Sequence, residues 1–70
     1  MSAISEDRII RRIEECASEL AAELDQDGEA ADIRTRLRAV QTAPAGTYRA
    51  DLVAVLSWAE YRLDICKAYA

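Results

Sequence analysis

The sequence predicts an all-α protein, a small three-helix bundle with helices in the order long, short, long, completed by homodimerisation. Three observations carry that prediction. Apolar residues recur at spacings of three and four through three stretches, and no strand-like alternation separates them. The stretches are divided at Asp25-Gln26-Asp27-Gly28 and at Ala43-Pro44-Ala45-Gly46, which hold the only glycines and the only proline. The chain has 70 residues, which is one helical domain near the lower size limit for a self-sufficient core.

The first helix is expected over about residues 6–26. Ser5 is a good N-cap, and Glu6 and Asp7 suit the positive end of the helix dipole. Ile4 and Ile9 occupy the hydrophobic-staple positions. Ile9, Ile10, Ile13, Cys16, Ala17, Leu20 and Leu24 keep one face. Within that face, Ile10, Ile13, Ala17, Leu20 and Leu24 fit the a and d positions of a heptad, as for shallow-angle packing in a bundle. Gly28, free to take the left-handed conformation at C′, is the expected stop.

The second helix, about residues 29–42, has the narrower stripe Ala30, Ile33, Leu37 and Val40. Asp32 and Arg36 stand in the favourable i,i+4 order. Pro44 breaks this helix, because it cannot donate a hydrogen bond and disfavours helix at Ala43. Thr47 is the candidate cap for the third helix, about residues 48–69. Short loops make sequential helices antiparallel neighbours.

The third helix carries more apolar surface than a bundle helix needs. Leu52, Val55, Leu56, Ala59, Leu63 and Cys66 form one stripe, and Ala54, Trp58, Tyr61, Ile65 and Tyr69 form another, about 130° away. Arg49, Ser57, Glu60, Asp64 and Lys67 make a narrow polar wedge. The second helix offers too few apolar residues to cover its share of the first helix and the whole second stripe. Either the third helix is central and both stripes are core, one facing the first helix and the other the second, or the second stripe is an interface. The shortage on the second helix favours the interface. Tyrosine and tryptophan serve such interfaces well, since they bury much area with few rotors and keep a polar tip. The candidate partner-binding residues are therefore Trp58, as the principal anchor, with Tyr61, Ile65 and Tyr69 around it and Tyr48 and Arg62 at the edges.

Composition narrows the function further. Nothing resembles a signal peptide, since Ser5 to Arg8 interrupt any N-terminal apolar run, and no stretch has the length of a membrane span. Cys16 and Cys66 fall on apolar faces and read as buried thiols of a reducing cytoplasm, so disulfides do not supply the missing stability. There is no histidine, hence no ordinary catalytic base and no metal site of the zinc type. Glu23, Asp25, Asp27 and Gly28 match the start of a calcium loop in type, but its final carboxylate position is Arg34. The same turn fails as a helix-turn-helix, with Leu24 where a small residue is needed and Arg34 where an aliphatic one is. The net charge of −4 also argues against nucleic acid. No cofactor and no small-molecule substrate is expected.

Charge is unevenly distributed. Residues 14–32 contain eight carboxylates and no cation, whereas Arg8, Arg11 and Arg12 precede that block and Arg34, Arg36 and Arg38 follow it. The leading expectation is a non-enzymatic protein that binds a larger protein through the third helix, as a regulator or inhibitor, while pairing with itself. Its alternatives are an acidic mimic of nucleic acid acting through Glu14, Glu15, Glu19 and Glu23, or a structural subunit of a larger assembly. Size, acidity and the wealth of Ala, Arg and carboxylates suit a small bacterial or phage-encoded regulator.

Overall fold

A computed structural model describes residues 5–69. It contains α1 (Glu6–Ala22), α2 (Asp27–Thr42) and α3 (Tyr48–Ala68), and no strand among the described residues. The fold is a small all-α bundle in which each helix packs on the other two. Arg12 to Glu60 and Glu19 to Lys67 are ion pairs at the same 48-residue offset, so α1 and α3 run parallel. The Cα envelope measures 37 × 29 × 15 Å. At a helix diameter of about 10 Å, that thickness encloses no helix on all sides.

The core follows from the periodicity. Ile9, Ile13, Cys16, Ala17 and Leu20 of α1 meet Ala30, Ile33 and Leu37 of α2 and Leu52, Val55, Ala59 and Leu63 of α3. Ile10, Leu24, Val40, Tyr48, Leu56, Trp58 and Cys66 are half-buried around it. No polar or charged residue is buried among the described residues, so specificity rests on shape and on ion pairs at the rim.

The helix ends differ from their expected places. At the start of α1, Ser5 Oγ accepts a hydrogen bond from the Arg8 amide at 3.3 Å, as an N-cap should. The Ile4–Ile9 staple falls on a residue outside those described. α1 stops at Ala22 rather than near residue 26, and α2 begins at Asp27, ahead of Gly28. Gly28 is thus in the first turn of α2, not at C′ of α1. The left-handed residue is Asp25, with φ 56°, a conformation that Asp tolerates better than most side chains. Around it the amides of Leu24 and Gln26 donate to the carbonyls of Glu19 and Leu20, at 3.3 and 2.8 Å. This wide turn satisfies the end of α1 and folds Leu24 against the core.

Two local pairings also depart from expectation. Thr47 stands at the N-cap of α3, but its side chain caps no amide; the hydroxyl donates to Asp51 Oδ2 at 3.1 Å. Arg36 does not pair with Asp32. Its guanidinium lies 4.3 Å from the centroid of the Trp58 ring, where stacking on a π face replaces a solvent-exposed ion pair.

A candidate interaction face on the third helix

α3 has one side in the core, a flank against α1, a flank against α2, and an outer line. Glu60 and Lys67 mark the α1 flank, with Arg12 Nε 3.3 Å from Glu60 and Lys67 Nζ 2.7 Å from Glu19. On the α2 flank, Arg62 donates twice to Glu29, Nε to Oε2 at 2.5 Å and Nη2 to Oε1 at 2.7 Å. This two-pronged, half-exposed pair holds the Glu29 carboxyl below its ordinary value of 4.5, the hydrogen bonds from Arg62 being the main cause.

Opposite the core, at 100° per residue, run Ala50, Ala54, Ser57, Tyr61, Ile65 and Ala68. None of these six is charged, and all are exposed except the half-buried Ile65. In a chain with 31% charged residues, a surface line of five turns without one is uncommon for a solvated helix face. Tyr61 is 60% exposed at its centre, with Val53 at 45% on one edge and Tyr69 at 87% beyond its C-terminal end. On its α1-facing side Asp64 lies beside the line on α3, with Glu60 and Lys67 beyond it against α1.

The six residues expected to bind a partner are thereby separated. Tyr61 and Ile65 lie on the outer line, and Tyr69 stands exposed past the helix end. Trp58 is turned toward α2, half-buried under Arg36, in a shallow concavity shared with Ala39, Val40, Ala54 and Val55. Tyr48 packs on the core margin, and Arg62 is engaged with Glu29. Ala50, Ser57 and Ala68 complete the line without having been singled out by their side chains. Their signal was positional: each is three, four or seven residues from the next member.

The acidic residues of α1 are partly paired within the chain. Glu14, Glu15, Glu19 and Glu23 do share one side of α1. Glu15 lies 3.5 Å from Arg12, and Glu19 is bound by Lys67 at 2.7 Å. No group of three or more His, Cys, Asp or Glu among the described residues could hold a metal ion, the Glu23-Asp25-Asp27 turn included.

No protein-family model, no curated protein and no solved structure matches the chain. The site therefore has to be read from its own chemistry. Both cysteines are free. Burial pushes the Cys16 thiol up, against the opposing pull of Arg12, and the neighbouring carboxylates Glu60, Glu19 and Glu15 push the same way as burial. Such a thiol is a core side chain rather than a nucleophile. Cys66 is half-buried beside the core. No helix among the described residues is long and apolar enough to cross a membrane.

Proposed function

We propose that the protein is a non-enzymatic interaction protein, a small regulator or inhibitor that binds a larger protein through the outer face of α3. The observation that carries this reading is the uncharged line from Ala50 to Ala68 with Tyr61 at its centre. The small residues Ala50, Ala54 and Ser57 on the N-terminal side of Tyr61 let a partner's backbone approach closely, so that one aromatic ring enters a pocket as the anchor. Tyr61, Ile65 and Tyr69 are the contact residues. Trp58 supports them from beneath, with Arg36 covering it.

In the absence of that partner, the same face pairs with a second copy. A two-fold axis near Ser57 brings the line onto itself, Tyr61 of each copy meeting the alanines of the other, as an isologous interface requires. Homodimer and partner complex then compete for one surface. The salt response separates this reading from the acidic mimic: an apolar anchor is nearly indifferent to ionic strength, whereas a polyanion surface is not.

The test compares the wild-type protein and Tyr61→Arg as immobilised baits at 0.1 and 0.5 M salt, with circular dichroism confirming equal helicity. The expected result is a protein retained in stoichiometric amount by the wild type at both salt levels and lost by the variant. Identical retention by both baits, or retention that vanishes at high salt alone, overturns the proposal.

A further inference from the structure

The face away from α2 has a second feature, which adjoins the outer line at Val53. Between α1 and α3 runs a groove of about 660 Å³, within the range of ligand-binding clefts, roughly 300–1,000 Å³. Ile9, Val53 and Leu56 supply its apolar lining, and Arg8, Arg11, Arg12 and Arg49 its cationic one. Glu15 is the single carboxylate there, and it lies 3.5 Å from Arg12. Arg12 also pairs with Glu60, so the positive character of the groove on this chain of net charge −4 rests on Arg8 and Arg11. Arg8 and Arg11 are exposed, and neither forms a side-chain ion pair among the described residues. Arg49 and Arg12 are engaged within the chain.

The arrangement is amphipathic along its length. α1 and α3 lie parallel, and each carries its cations one helical turn from an apolar residue, as Arg49 does from Val53 and Arg12 from Ile9. We infer that this groove receives an acidic, amphipathic helical segment of a partner protein, its apolar side on Val53 and Leu56 and its carboxylates on Arg8 and Arg11. Helix-in-groove recognition uses this combination of an apolar floor and a charged rim. Guanidiniums favour carboxylates through paired N–H donors. A nucleic acid fits less well, because Glu14, Glu19 and Glu23 continue along α1 beyond the groove and would face the phosphates of any extended strand. A second copy fits less well too, because the carboxylate-bearing side of α1 offers no apolar residue larger than Ala22.

The experiment uses the full chain and a fluorescent helix-forming 15-residue peptide of Leu and Glu, read by anisotropy at 50 and 300 mM salt. Controls are the same peptide with Gln for Glu, and a labelled single-stranded oligonucleotide. The expected result is saturable binding of the acidic peptide that weakens at least tenfold in Arg8→Ala/Arg11→Ala, weakens at high salt, and is lost in Val53→Glu. Tyr61→Arg leaves it unchanged, which separates this inference from the proposal for the outer face. Equal affinity for the Gln peptide, tighter binding of the oligonucleotide, no effect of the double arginine variant, or undiminished binding in Val53→Glu each overturns it.

Discussion

Replacing Trp58 by alanine removes two things at once, and the structure sets the size of each. The ring is half-buried against the core margin, which for an indole withdraws on the order of 100 Å² from water, about 2.5 kcal/mol at 25 cal/mol per Å². The Arg36 guanidinium at 4.3 Å adds about 0.5–1 kcal/mol, as for a solvent-exposed cation–π contact. Trp58→Ala should therefore cost about 3 kcal/mol, which for a domain this small is roughly 12–24 °C in Tm. Urea unfolding followed by circular dichroism measures it. A double-mutant cycle with Arg36→Ala isolates the stacking contribution. If the alanine variant is too unstable to titrate, Trp58→Leu carries the same cycle. A loss under about 1 kcal/mol, or no coupling to Arg36 in the cycle, would refute the placement of this ring and return it to the open surface.

Three further outcomes follow from the same geometry. Gly28→Ala should stabilise by about 0.5–1 kcal/mol, because Gly28 lies inside α2 with no positive φ and open space where a Cβ would stand; destabilisation in thermal unfolding would put Gly28 back at a left-handed helix stop. The Glu29 carboxyl is held down by Arg62, so the pair's contribution is fully present above the ordinary value of 4.5 and is lost as pH falls through the lower folded value. Glu29→Gln should accordingly flatten the acid limb of a stability–pH curve and leave its alkaline limb unchanged. The Cys16 thiol is pushed up from 9.0, so its contribution is present below 9.0 and is lost as pH rises further. Native-state thiol labelling should modify Cys66 well before Cys16, and equal rates would contradict the buried position of Cys16.

The three helices were legible because their apolar periods are unambiguous and Pro44 marks the second break. Their ends were less so. Gly28 carried the strongest stop signal in the sequence, yet the left-handed position went to Asp25, since the wide turn is closed by Leu24 finding the core and not by backbone permissiveness alone. Side-chain pairing across the bundle was not readable. Glu29 and Arg62 are 33 residues apart, and Arg36 had a local partner in Asp32 that outranked Trp58 until the distance between helices was known. The second stripe of α3 was visible as a stripe, but its position around the helix axis relative to α2 was not. That rotation turns Trp58 under Arg36 and leaves Tyr61 outward. It also turns Glu60 and Lys67, at one side of the polar wedge, to α1, and leaves Ser57 and Asp64, at the other side, outward. The cationic groove lay in plain sight as Arg8, Arg11, Arg12 and Arg49, but only the parallel run of α1 and α3 brings the four together.

The central claim is that the uncharged outer line of α3 is a contact surface, first used by a second copy. Light scattering across a wide concentration range, on the wild type and on Tyr61→Arg, tests it most directly. The account predicts a wild-type mass near twice the 7.8 kDa of one chain at high concentration, falling to a single chain in Tyr61→Arg with its helical spectrum intact. A well-folded wild-type monomer at every concentration, or a dimer indifferent to the arginine, would contradict it.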